Sequence, residues 1–128
     1  MKSHFILYVS DQTKSTEFYT RALGLSPTLN VPGMTEFELG NECLLGLMPE
    51  AGAERLFGGR VRIASPDTSV SRAEVYLVVD DAEEYHRQAL AGGAVEVSEL
   101  EERDWGHRAA YSLDPDGHVL AFAELTQR

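Results

Sequence analysis

The sequence predicts an α+β fold built from two copies of one β-α-β-β-β module. Three observations lead there. A strand-like segment ending in an acidic residue occurs twice, as HFILYVSD at 4–11 and EVYLVVDD at 74–81. Each is followed by an apolar stripe at helical spacing. Each half then closes on short alternating segments joined by a turn rich in Gly, Asn or Asp. At an offset of 70, Leu7 pairs with Leu77, Val9 with Val79, Asp11 with Asp81 and His4 with Glu74.

The helices follow from residue spacing. In the first, Ser15, Phe18, Tyr19, Ala22 and Leu23 fall at i, i+3, i+4, i+7 and i+8, one face of a helix. Asp11 is its expected N-cap and Gly24 its stop. In the second, Ala82, Tyr85, His86, Ala89 and Leu90 repeat the spacing. Asp81 with Glu84 three residues on resembles a capping box, and Gly92-Gly93 ends the helix. The strands expected after them are 25–31, 34–40 and 42–48, then 94–100, 107–113 and 118–124. The turn at Gly40-Asn41 matches the one at Asp114-Pro115-Asp116-Gly117, which has the Pro and Gly placement of a type I turn. An offset of 75 here pairs Leu44 with Val119, Leu45 with Leu120, Gly46 with Ala121 and Leu47 with Phe122. The expected organisation is a single domain, 1–128, with modules 1–48 and 73–128 joined by a linker, 49–72, carrying a short helix at 54–57.

Composition narrows the function. The chain has 128 residues, 11 Lys and Arg against 21 Asp and Glu, and a formal charge of −10. That length suits one domain that buries roughly two thirds of its unfolded surface. No cluster of basic residues exists to displace counterions from a phosphate backbone, so nucleic acid is not an expected partner. An anionic membrane surface is disfavoured for the same reason. No run approaches the ~20 apolar residues of a spanning helix, and the N-terminus has no secretory pattern. The lone Cys43 cannot form an internal disulfide and reads as a buried structural thiol. A cytoplasmic location is expected.

The opening HFILYVSDQTKSTEFYTRALGL and the closing WGHRAAYSLDPDGHVLAFAE, with the repeat between them, resemble the vicinal oxygen chelate superfamily. That group contains glyoxalase I, bleomycin-resistance proteins and extradiol dioxygenases. The resemblance implies that the two modules form a concave mixed-sheet cup. It also implies a homodimer. Alternation along a strand then assigns the helix face to Phe5, Leu7, Val9, Val75, Leu77 and Val79. The cup receives His4, Ile6, Tyr8, Glu74, Tyr76 and Val78 from the first strands of the halves. From the last strands it receives Leu44, Gly46, Met48, Val119, Ala121 and Ala123.

Metal-using members resemble one another at four inward positions, which here hold His4, Gly46, Glu74 and Ala121. His4 and Glu74 could ligate a divalent ion (Zn, Ni, Mn or Fe), while Gly46 and Ala121 have no donor atom. Three readings stay open. The first is a binding protein of the resistance type, closest in pattern to members with a degenerate metal site. It would hold an apolar or cationic organic ligand against Ile6, Tyr8, Gly46, Met48, Tyr76, Trp105, His107 and Ala121. The acidic charge favours a cation, and Phe57 joins Trp105 as a lid. The second is a metal-dependent lyase, isomerase or dioxygenase using His4 and Glu74, with a third ligand from His107, the substrate or a partner subunit. The third is a metal-free enzyme with His4 and Glu74 as a catalytic pair, brought together across the cup by the approximate twofold. His86 reads as a core-edge histidine with a partner and His118 as a surface residue. Glu124 is out of phase with the inward set.

Overall fold

The computed structural model describes residues 1–63 and 70–126. The helices form where the stripes place them. α1 (Gln12–Leu23) buries Ser15, Phe18, Tyr19, Ala22 and Leu23. Asp11 accepts a hydrogen bond from the Lys14 backbone N–H at 3.0 Å, satisfying one of the free donors of the first turn. Gly24 ends the helix in the left-handed region at φ 66°, where a side chain would be strained. α3 (Ala82–Ala91) is capped in the same way by Asp81, which accepts from the Glu84 N–H. The capping box is half made: the Glu84 carboxylate holds Arg87 and Gln88 instead.

The strands make two four-stranded mixed sheets. The first runs β1-β4-β3-β2, from β1 (Ser3–Val9), β2 (Leu29–Val31), β3 (Met34–Gly40) and β4 (Cys43–Pro49). The second runs β5-β8-β7-β6, from β5 (Glu74–Val78), β6 (Val95–Glu102), β7 (His107–Leu113) and β8 (Val119–Leu125). In each, the module's first strand pairs in parallel with its last, and the others are antiparallel. Strand β2 is shorter than its expected 25–31. Pro27 has no N–H for a ladder, and Thr28 makes the first bond, to the Glu36 carbonyl. A further helix, α2 (Glu50–Phe57), begins directly after β4, four residues ahead of the expected 54–57. The rest of the expected linker includes 64–69, outside the described residues.

Both modules contribute to one core. Val9, Leu45 and Leu47 of the first sheet meet Phe18 and Tyr19 of α1 in the same cluster as Leu120 and Phe122 of β8 and Ala82 and Ala89 of α3. Each fully buried Leu or Phe of this cluster stabilises the fold by about 1.5–3 kcal/mol. The aromatic rings interlock edge-on for Phe18–Tyr19, with centroids 4.9 Å apart, and tilted for Tyr85–Phe122, at 5.2 Å.

The two halves are also clasped by hydrogen bonds. The buried Tyr19 hydroxyl donates to Asp114 Oδ2 at 2.6 Å, and the Ser10 N–H donates to Asp116 Oδ1 at 2.9 Å. The turn that carries both aspartates closes by a Gly117 N–H to Asp114 carbonyl bond of 2.9 Å, as its sequence requires. No helix among the described residues is long and apolar enough to cross a membrane.

Candidate functional site

The first strands of the two modules, β1 and β5, are edge strands of separate sheets. Between them lies a cavity of about 440 Å³, lined by residues that include Phe5, Ile6, Leu7, Leu45, Val75 and Leu77. Such a volume falls in the range of small-molecule sites. Glu74, Tyr76, Cys43 and His118 supply its polar groups. The helix-face assignment of Phe5 and Leu7 holds in phase, but α1 does not cover their end of β1. Phe5 is 62% exposed. Cys43, expected to be buried, is half-buried and lines this cavity.

In the first sheet, His4 Nδ1 lies 3.5 Å from Glu36 Oε2 on β3. The expected His4–Glu74 pair does not form among the described residues. His4 meets a carboxylate of its own module, while Glu74 stands at the cavity. Glu36 is in register with Gly46 and therefore on the same face as His4 and Ile6. The alternation of Met34, Glu36 and Glu38 along β3 was the signal that would have found it. At Gly46, an added Cβ would sit 3.2 Å from both Ile6 Cγ1 and Met34 Sδ. The space expected from the missing side chain is thus taken by two neighbours. Further along, Tyr8 meets Phe57 of α2 edge-on, with ring centroids 6.1 Å apart. Met48 lies against α2 near Gly52. The short helix therefore covers this end of the sheet.

The second sheet carries an aromatic cluster. Tyr76 Oη lies 2.6 Å from His107 Nδ1, and Trp105 Nε1 donates to the same oxygen at 2.9 Å. The Tyr76 and His107 rings stack, 5.7 Å apart and 23° from parallel. Tyr76 is in register with Ala121, which is fully buried. Beside it, the Arg103 guanidinium sits 5.1 Å over the Tyr111 ring, a cation–π contact. Burial, then the charge of Glu74 and the neighbouring Tyr76, push the Tyr111 phenol up, partly offset by Arg103.

Among the described residues, one group of three potential metal donors comes together: Asp114, Asp116 and His118, with ligand atoms within 4.8 Å. Asp114 is committed elsewhere. Its Oδ1 accepts from the backbone N–H groups of Asp116 and His118, and its Oδ2 binds the Tyr19 hydroxyl and His118 Nδ1. The group fits a hydrogen-bonded clasp better than an ion site. His118 is therefore part of the clasp between modules, a correction to its expected surface role. Burial alone would lower the His118 imidazole, but the bond and charge of Asp114, with Asp116 and Glu50, hold it above its ordinary value. His86 is buried with Nε2 2.9 Å from Glu96 Oε2, as expected of a core-edge histidine. Glu124 faces the helix side, accepting from the Ala82 N–H at the start of α3 and from Arg108.

Fold and faces together define a protein of paired β-α-β-β-β modules with a ligand-sized cavity at their seam. The sequence pattern of the Glyoxalase/Bleomycin resistance protein/Dioxygenase superfamily matches residues 3–122, and the chain belongs to that superfamily. Solved structures share the fold. A glyoxalase-related enzyme from Fulvimarina pelagi superposes with a TM-score of 0.81 at 19% identity, covering 97% of this chain and 87% of that one. A glyoxalase/bleomycin resistance protein/dioxygenase family enzyme from Burkholderia phytofirmans PsJN also gives 0.81, at 16% identity over 95% and 96%. A glyoxalase/bleomycin resistance protein/dioxygenase from Nocardioides gives 0.76, at 21% identity over 99% and 84%. No curated protein matches the chain.

Proposed function

We propose that this protein binds a small organic molecule, apolar or cationic, without a complete metal site. The cavity between β1 and β5 carries the reading. Its walls are apolar, and Glu74 stands at it to meet a positive charge. The formal charge of −10 attracts cations to the molecule as a whole. A resident metal is disfavoured by the donor set. Two of the four family positions, Gly46 and Ala121, have no donor, and His4 is directed to Glu36. Benzyltrimethylammonium is the probe. It is expected to raise the thermal midpoint in a dose-dependent way. Glu74→Gln is expected to weaken that binding about tenfold, the loss of a close charge partner worth about 1.4 kcal/mol, while leaving a neutral isostere unaffected. Absence of any shift for both the cation and the isostere would remove the reading.

The same reading includes a homodimer. Among the described residues no strand pairs the outer edges of β1 and β5, where Phe5 is 62% and Val78 54% exposed, and open edges of this kind are sites for a second chain. A second copy laid along them would roof the cavity. Light scattering after size exclusion is expected to give about twice the 14.1 kDa of one chain. A single-chain mass at micromolar concentration would refute the assembly.

A further inference from the structure

We propose that Tyr76 and His107 form a proton relay that takes a proton from a weakly acidic aromatic hydroxyl, a phenol, held against Trp105. Tyr76 also borders the seam cavity, whereas Trp105 and His107 do not line it, so a phenol held against Trp105 is read apart from a ligand in the cavity.

The direction of the hydrogen bonds carries the argument. An indole N–H only donates, so Trp105 occupies one acceptor position of Tyr76 Oη, at 2.9 Å. Tyr76 has one proton, and His107 Nδ1 is 2.6 Å away. Two arrangements satisfy this contact. In one, the tyrosine hydroxyl donates to an unprotonated Nδ1, and Oη keeps a lone pair for an incoming donor. In the other, a protonated Nδ1 donates to Oη, and the tyrosine proton points outward. With Nε2 protonated in both, the second carries one proton more than the first, and a bound donor supplies it through Oη. When a bound phenol gives its proton to Oη, Tyr76 passes its own to Nδ1. The O–H bond of the phenol breaks and an N–H bond forms on His107. The products are a phenolate and an imidazolium, and Tyr76 ends as it began.

The sheet places this pair by means of small side chains. Tyr76 is in register with Ala121, and the next ladder position on that face joins Val78, Ala123 and Ala109. Alanines there leave the tyrosine ring a path toward His107 at the start of β7. Stacking on the imidazole then fixes both rings. Trp105 is 56% exposed, so its indole offers a flat apolar surface next to Oη, suited to an aromatic ring. The charged side chains on the surrounding elements are Glu74 on β5, Glu96, Glu99, Glu101 and Glu102 on β6, Arg103 and Asp104 in the connection, Arg108 on β7 and Glu124 on β8. Arg108 is turned to Glu124.

The test uses 4-nitrophenol, whose phenolate is seen by its visible absorbance, with the single Trp105 as a fluorescence reporter of binding. On wild-type protein near neutral pH, the bound phenolate-to-phenol ratio is expected to exceed the free ratio by about tenfold, one pKa unit. Tyr76→Phe and His107→Gln are each expected to quench Trp105 on binding yet keep the ratio of free solution. Three results would overturn the relay: no binding to wild type, an unshifted ratio, or a shift that persists in Tyr76→Phe. Benzyltrimethylammonium binding to His107→Gln is measured alongside. It tests the seam cavity separately, so failure of one site is not read as failure of the other.

Discussion

Asp114→Ala is expected to destabilise the protein by about 4 kcal/mol, enough to unfold much of a typical population. The residue is 4% exposed and accepts from four donors: the Tyr19 hydroxyl, the backbone N–H groups of Asp116 and His118, and His118 Nδ1. Alanine leaves the buried Tyr19 hydroxyl without its partner and loosens the turn before β8. The clasp between the modules goes with it. Urea unfolding followed by circular dichroism measures the loss. Tyr19→Phe removes a single bond of the set and is expected to cost about 1–2 kcal/mol. In a double-mutant cycle the two losses should not add, because they share one interaction. Additive losses would show that the clasp does not join the halves.

The clasp also sets a pH dependence. Burial pushes the Asp114 carboxyl up, but the bond and charge of His118 and the Tyr19 hydroxyl outweigh it and hold the group below its ordinary range. Its contribution is therefore present above about pH 3.9 and lost as pH falls through the folded value. His118 is held above its ordinary value. Its contribution is complete below about pH 6.5 and lost as pH rises through the folded value. The pair is thus strongest between about pH 4 and 6.5. His118→Gln is expected to flatten the alkaline side of the stability profile and to weaken the acid side as well, because the lowering of Asp114 rests first on His118.

Gly46→Glu is expected to cost about 3 kcal/mol. The substitution puts a carboxylate at one of the four family ligand positions. Here a Cβ already meets Ile6 and Met34 at 3.2 Å, and the neighbour in register on β3 is Glu36. The new side chain would have to displace two apolar groups and sit beside a like charge. Unfolding measurements should show this loss whether or not a divalent ion is added. A variant as stable as the wild type, or one restored by zinc, would mean that the site accepts a ligand more readily than its packing suggests.

Much of the architecture was legible in the chain. The stripe of Ser15, Phe18, Tyr19, Ala22 and Leu23 is the buried face of α1. Asp11 and Asp81 are the caps, and the Asp114–Gly117 turn closes as its residues require. These features rest on local periodicity and local hydrogen bonds, which a sequence carries in full. The site was only partly legible. His4 and Glu74 occupy equivalent repeat positions, yet the close contact of His4 is made with Glu36, because the sheet brings β3 and β1 to either side of β4. Gly46 suggested open space, but the side chains of Ile6 and Met34 lean over it. His118 looked exposed because its partner Tyr19, which joins it through Asp114, lies 95 or more positions away along the chain.

By itself the sequence determined the doubled module, its faces and its acidic character, since each follows from the identity and spacing of neighbouring residues. The tertiary structure decided which polar groups meet, where the cavity opens and which face lies under α2. Those outcomes depend on packing between segments far apart in the chain, and the shapes of the two surfaces brought together are set only when the chain folds.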